Sequence, residues 1–271
     1  MTADPTAVAD PSSAVLVTHD GPTATLTLNR PDRRNALDQQ GWTTLHDMLE
    51  SLAGDDSIRV VTITGAGGNF CAGADLGKRS REEHPNVRMR RINKVAIALH
   101  EFPKPVIAKV EGVAVGAGMN LALACDFVVA AQSARFSQIF VRRGLSPDFG
   151  GSWILPRLIG MQQAKRLAML AEMISAEQAL ELGLVTWVEP GDELAEFTTG
   201  LAGRLAELPP IALAQTKALL HRGVDLTLHE ALENEARAQA INLATEDVPA
   251  AYRAFLDKTA APVFTGRWAV R

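Results

Sequence analysis

The chain is 271 residues long and has two cysteines, one tyrosine and only 5% aromatic residues. Two thiols, Cys71 and Cys125, are too few for a disulfide framework and suit a reducing cytoplasm. With few aromatics, a core must come from Ala, Val, Leu and Ile. The 47% hydrophobic content is ample for one large domain or a domain with an appendage. No apolar run reaches the ~20 residues that span a bilayer, and residues 1–13 lack a signal-like apolar stretch. An intracellular protein with no membrane partner is expected. A formal net charge of −4 argues against the basic face of a nucleic-acid binder. The six histidines (His19, His46, His84, His100, His221 and His229) have no metal-ligand spacing, so no metal is expected. Gly65-Ala66-Gly67-Gly68 lacks the third glycine of a dinucleotide fingerprint and the Lys-Ser/Thr of a phosphate loop. Neither NAD nor ATP is supported.

The chain does contain two glycine-rich turns, each following an apolar β-branched run. Residues 60–64 lead to Phe70-Cys71-Ala72-Gly73-Ala74-Asp75-Leu76, and residues 106–110 lead to Gly112-Val113-Ala114-Val115-Gly116-Ala117-Gly118-Met119-Asn120. Small residues there let main-chain N–H groups face a ligand with no side chain in the way. Two such donors from separate turns would meet on one oxygen, the requirement of an oxyanion hole. The second turn runs into a helical-looking segment, whose positive end would add to the field.

Around these turns, residues 15–17 and 24–28 flank Asp20-Gly21-Pro22 and predict a hairpin. Asp38 is placed to cap a helix carrying Leu45, Met48, Leu49 and Leu52 on one face. A polar stretch then precedes a helix over 93–99, ended by Pro103 and Pro105. Ser175-Ala176-Glu177-Gln178 predicts a capping box whose helix stops at Gly183. After Trp187 the pattern is helical only, over 193–206, 211–220, 227–244 and 250–256. The expectation is a loose segment over 1–13, an α/β core over 14–206 and a helical region over 207–271. Leu226, Leu228, Leu232, Ile241 and Leu243 in that tail call for a partner surface.

Further motifs join the two turns in a fixed order. They are Leu28-Asn29-Arg30-Pro31 with Asn35-Ala36-Leu37, Ala124-Cys125-Asp126, Gly144-Leu145-Ser146-Pro147-Asp148-Phe149-Gly150-Gly151, residues 179–185, and the closing Phe255, Lys258, Pro262, Phe264 and Gly266. Over nearly its whole length the chain resembles the crotonase (enoyl-CoA hydratase/isomerase) superfamily. The resemblance implies an α/β crotonase (ClpP-like) spiral core of repeated ββα units, followed by a C-terminal all-helical trimerisation region in a homotrimer or hexamer. It implies an acyl-CoA thioester whose carbonyl oxygen accepts from the N–H groups of Ala74 and Ala117, with coenzyme A present only as part of the substrate. By position Arg33 or Arg34 would meet phosphate and Ala36 the pantetheine arm. Ala72, Asp75 and Leu76 would contact adenine through the main chain, with the Asp75 carboxylate structural. Phe140 would wall the acyl pocket, and Lys258 with Phe264 would reach the CoA of a neighbouring subunit. Arg79, Arg81, Arg88, Arg90 and Arg91 fall in a variable flap and read as a mostly solvated face.

The reaction class follows from what the motifs lack. Hydratases of the family carry two glutamates; here those positions hold Asn120 and Phe140, neither of which can act as a base toward water. Asp148 stands where family isomerases carry their single acid/base. From pattern alone, Pro147-Asp148-Phe149-Gly150 reads instead as a turn and helix cap. The family register makes Asp148 the proton shuttle of an enoyl-CoA double-bond isomerase. Phe140, Phe149 and Trp153 would then make its surroundings apolar and raise its pKa. The rival readings are a hydratase with an altered carboxylate set, an aryl-CoA dehalogenase or thioester hydrolase with Asp148 as nucleophile, and a non-catalytic acyl-CoA-binding member. Cys71, with no histidine beside it in sequence, reads as a packing residue.

Overall fold

A computed structural model describes residues 12–77 and 83–269. The expectations for residues 1–11, Arg79 and Arg81 lie outside the described residues. The chain opens on a hairpin of β1 (Val15–Asp20) and β2 (Thr23–Leu28). There follow α1 (Gln39–Ala53), β3 (Val60–Gly65), α2 (Pro85–His100), β4 (Val106–Val110), β5 (Val113–Val115) and α3 (Ala117–Leu123). Next come β6 (Phe127–Ala131), β7 (Arg135–Ser137), α4 (Gly151–Leu170), β8 (Ile174–Ser175), α5 (Ala176–Glu181), β9 (Trp187–Glu189) and α6 (Leu194–Ala206). The tail is α7 (Pro210–Gly223), α8 (Leu228–Leu243) and α9 (Asp247–Asp257).

The strands form two sheets, one of six strands in the order β1-β2-β3-β4-β6-β9 and one of three in the order β5-β7-β8. In the large sheet every pair after the hairpin is parallel. After a large-sheet strand the chain steps to the small sheet and then to a helix, as in β4–β5–α3 and β6–β7–α4. Two earlier steps are reduced to single parallel bridges, Leu37 to Ala74 and Cys71 to Ala114. This repeated path is the spiral of ββα units, and it turns both glycine-rich segments toward the small sheet.

The central strands β3, β4 and β6 are buried on both faces, which explains their unbroken apolar runs. Val60, Ile107 and Val129 pack under α6, on Leu194 and Leu201. Their alternating neighbours Val61, Ile63 and Ala108 point the other way, into the core that includes Leu45 and Leu49 of α1. Asp38 caps α1 by accepting from Gly41 N–H at 3.0 Å, and Ser175 and Gln178 form the capping box of α5. Helix α2 is longer than the expected 93–99. It starts at Pro85, where the His84 ring accepts from Asn86 N–H at 3.2 Å. Its buried stripe is only Ile92, Val95 and Leu99, so the arginines of its first half hide the period.

The tail helices differ from the core. Helix α7 has no fully buried residue, and α8 and α9 have one each, Ala238 and Asp247. Leu228, Leu232, Leu243 and Phe255 are exposed. No helix among the described residues is long and apolar enough to cross a membrane.

A tight constraint lies where the two turns meet. A Cβ on Gly118 would run into the carbonyl of Cys71, a main-chain group that cannot move aside. Gly118→Ala is therefore expected to lower stability by about 3 kcal/mol, read as a fall in the denaturation midpoint. Gly191→Ala, where an added Cβ meets nothing within 4 Å, should stay within about 0.5 kcal/mol of the parent.

Candidate active site

The first turn is held as a one-residue strand. Leu37 N–H donates to Gly73 O at 2.9 Å, and Asp75 N–H donates to Leu37 O at 2.9 Å. Main-chain groups alternate sides along an extended segment, so Ala74 between them turns its N–H away from Leu37. The second turn is fixed by Val115 N–H to Cys71 O at 2.9 Å and Gly116 N–H to Ser137 O at 2.8 Å. Gly116 takes φ 57°, and Ala117 then opens α3, where helical geometry supplies no acceptor for its N–H. A Cβ on Gly73 would sit 2.9 Å from Val115 O and 3.3 Å from Ala117 N, which sets the first turn directly against the second. Among the described residues neither Ala74 N–H nor Ala117 N–H has an intramolecular acceptor. Each of the two abutting turns thus keeps one main-chain donor without an acceptor among the described residues.

Cys71 and Arg30 support this arrangement. The Cys71 thiol donates to Asn35 O at 3.2 Å and accepts from Gly73 N–H at 3.3 Å; burial pushes its pKa up to about 12. It is a protonated packing group. Arg30 pairs with Asp75 at 2.9 Å and Asp38 at 3.4 Å, tying the first turn to the cap of α1. Burial works against the charge on Asp75, but Gly77 N–H and the Arg30 guanidinium outweigh it and hold the pKa below the usual value. The Asp75 carboxylate is thus structural.

Asp148 lines the same cavity as Ala74. Its Oδ1 is buried and has no hydrogen-bond partner among the described residues. Burial pushes the carboxyl up to about 6, an effect its own main-chain N–H only partly offsets. It does not cap α4: Gly150 occupies the cap with no side-chain bond. The turn is unusual, with Phe149 at φ 50° and Gly150 at φ 77°. A left-handed Phe costs about 1 kcal/mol or more and needs outside support. Asn120, fully buried, supplies it by donating from Nδ2 to Asp148 O at 2.8 Å, while Gly151 N–H reaches the same oxygen at 2.9 Å. Gln138 Nε2 in turn donates to Asn120 Oδ1 at 2.7 Å. A Cβ on Gly151 would strike the Asn120 amide. The position expected to lack a base is thus the clamp on the carboxylate's turn, a role absent from any local motif.

Ala74 and Asp148 line one cavity of about 420 Å³ together with Trp42, Met89, Ile92 and Leu145. Other expected residues fall around it unevenly. Leu76 lines it; Ala36 is buried and donates its N–H to Arg33 O at 3.1 Å. Arg33 is exposed and paired at 3.5 Å with Asp32, so its guanidinium faces solvent near the first turn. Arg34 is exposed with φ 48°, and its carbonyl accepts Ala72 N–H at 2.9 Å. The N–H groups of Ala72 and Asp75 are both committed within the chain, which leaves their carbonyls for a ligand. Lys258 ends α9 at φ 53°, exposed and lining neither cavity.

Three expectations are corrected. Phe140 does not line this cavity; it is buried in the 3-10 segment Ile139–Arg143, 3.6 Å from where a Gly116 Cβ would be. Phe149 and Trp153 line a different cavity, while Trp42, Met89, Ile92 and Leu145 are among the apolar residues that line the cavity of Asp148. Arg88 and Arg91 are not simply solvated: both line the cavity and lie 3.7 and 2.6 Å from Glu83. Among the described residues no cluster of metal-ligating side chains exists.

A carboxyl whose pKa rises on folding makes the folded state bind more protons than the unfolded one between the two values. Stability then falls as pH rises from about 4 to about 6 and stays reduced above. Asp148→Asn should therefore stabilise the protein above pH 6 by about 1–2 kcal/mol. The gain should shrink toward nothing near pH 4, read from thermal unfolding midpoints across that range.

A family model described as enoyl-CoA hydratase/isomerase matches residues 19–267. The 1,2-epoxyphenylacetyl-CoA isomerase of Escherichia coli K12 is 40% identical over 249 residues, which cover 90% of this chain and 95% of that protein. The 2,3-dehydroadipyl-CoA hydratase of the same organism is 37% identical over 255 residues, covering 94% and 100%. The crystal structure of an enoyl-CoA hydratase from Bacillus anthracis matches with a TM-score of 0.89 at 34% identity, covering 94% of this chain and 100% of that one. With its spiral core and abutting glycine turns, the chain belongs to the enoyl-CoA hydratase/isomerase family of the crotonase superfamily.

Proposed function

We propose that this protein is an enoyl-CoA double-bond isomerase in which Asp148 carries the proton. The observation behind this reading is that Asp148 is the one uncommitted carboxylate among the described residues lining the cavity. Asp38 is bound to Gly41 N–H and Arg30, Asp75 to Gly77 N–H and Arg30, and Glu83 to Arg91. Hydration needs one group to activate water and another to manage the proton at the α-carbon. Isomerisation needs only one.

The thioester oxygen would accept from Ala74 N–H and Ala117 N–H, so charge developing on it as an enolate is met by fixed dipoles. Asp148, ionised, takes the α-proton of a 3-enoyl thioester. The electron pair moves to the oxygen, and the double bond shifts when the neutral acid returns the proton at the γ-carbon. A pKa of about 6 suits both halves, because the group is ionised at neutral pH yet still a usable acid. The similarity to an isomerase at 40% identity agrees with this assignment, while the hydratases among the relatives keep water addition as the rival outcome.

Within the same reading, residues 14–206 are the catalytic core and residues 207–271 the oligomerisation region. The exposed apolar faces of α8 and α9 support a trimer or a pair of trimers. Arg33, Arg34, Ala36, Ala72, Asp75, Leu76 and Lys258 remain the proposed CoA contacts. Both cysteines are free and buried, which suits the cytoplasm.

Asp148→Asn should lower kcat/KM for conversion of 3-enoyl- to 2-enoyl-CoA by about a thousandfold, with thioester binding retained. In the parent, kcat/KM should rise tenfold per pH unit below about 6 and level off above. The residual rate of Asp148→Asn should show no such rise. Hydration of a 2-enoyl thioester at an undiminished rate in Asp148→Asn would overturn the assignment.

A further inference from the structure

The tail meets the core through a helix that is lightly held. Helix α7 has no fully buried residue, and it walls one side of a cavity of about 650 Å³ with Leu213, Thr216 and Leu220. Among the described residues, three side-chain hydrogen bonds tie α7 to the elements before it. Lys217 Nζ donates to Asp126 at 2.7 Å and to Lys104 O at 3.2 Å, and His221 Nδ1 donates to His100 O at 3.1 Å. A carbonyl can only accept, so Nδ1 carries the proton of the neutral His221 ring and Nε2 is bare.

The rings around that last bond form a row. Arg157 lies 4.0 Å over the ring of Trp153, and Trp153 meets His100 edge to face with centroids 5.3 Å apart. His100 then stacks flat on His221, with centroids 4.3 Å apart and planes 7° from parallel. Arg157 and Trp153 belong to α4, His100 ends α2, and His221 stands in the last turn of α7. The row joins the tail to two core helices and begins with a permanent cation.

Neutral imidazoles stack, whereas two charged ones at that spacing repel. A proton entering His221 must go to Nε2, which lies 3.9 Å from Asp126 Oδ1. Asp126 favours that proton, although its Oδ2 already accepts from Lys217 and from Val106 N–H. Burial, the His100 ring and Lys217 oppose it and hold the His221 pKa below the usual imidazole value. The remaining groups about the joint do not reverse this. Arg157 is bound to Asp225 at 2.7 Å, and Lys104 donates to Leu52 O and Asp55 O. Arg222 adds a positive charge beside His221, and burial pushes the Cys125 thiol up, so it stays neutral. Glu101, the other acid lining the cavity among the described residues, is exposed to water.

We propose that the His100–His221 stack is a proton-sensitive latch, which holds α7 on the core while the pair is neutral and releases α7, opening this cavity, once both rings are charged. The latch is independent of the reaction assigned to Asp148. The closed form binds protons less readily than the open form, so closure weakens as pH falls below about 6.5.

Hydrogen exchange of the full chain, corrected for the intrinsic effect of pH on exchange, reads this release. From about pH 7.5 to about pH 5, protection in α7 should fall at least about fivefold, the repulsion of two charges at that spacing even in water. Protection in β4 should not change. His100→Phe and His221→Phe each keep a ring in the stack without a titratable nitrogen, and each should make α7 protection independent of pH over that range. His100→Phe also leaves the carbonyl of position 100 in place for His221. Protection in α7 of the parent that does not respond to pH would overturn the latch, whether or not either variant folds. So would an equal fall in β4, which is acid unfolding of the whole chain. A fall in α7 that persists in folded His100→Phe would overturn it too, by placing the sensitivity in the Lys217–Asp126 pair.

Discussion

Everything at the site depends on two stretches of main chain approaching more closely than side chains allow. Gly73 lies against Ala117, and Gly118 lies against the carbonyl of Cys71. The parallel bridge from Cys71 to Ala114 fixes their register, and the bridge from Leu37 to Ala74 fixes which way the first donor faces. A hole made of peptide groups has no rotamers to order when charge arrives, so its contribution is available at once. The spiral fold delivers this geometry because each turn of chain reaches the small sheet only briefly before its helix begins.

Against that rigid donor pair stands a carboxyl that folding disfavours. Its unpartnered oxygen and raised pKa are costs to the folded protein. The chain meets them by fastening the surrounding turn rather than by solvating the acid. Asn120 and Gly151 converge on the carbonyl of Asp148, and Phe149 packs on Trp42 with ring centroids 5.5 Å apart. The side chain is left unpaired among the described residues while its main chain is immobilised.

Much of this was legible in the sequence because it is local. The hairpin, the Asp38 cap, the capping box at Ser175 and both glycine turns each declare themselves within a few residues. The start of α2 did not, since arginines on its first two turns dilute the apolar period. The Asn120 clamp joins positions 28 apart in the chain, and the Lys217–Asp126 pair joins positions 91 apart. No motif spans such distances. The error over Phe140 and Trp153 has a related cause: sequence proximity to Asp148 says nothing about which side of a left-handed turn a ring will occupy.

The clamp also bears on how this chain could change its chemistry. A glutamate at position 120 would be the residue that the sequence resemblance assigns to hydratases there. It would also take away a donor from the carbonyl of Asp148 and set an acceptor against an acceptor. Gly151, shaped around a small amide, would have to yield as well. That carboxylate does not fit the slot as it stands. A substitution at position 120 is therefore tied to its neighbours, Gly151 above all, which would have to change with it.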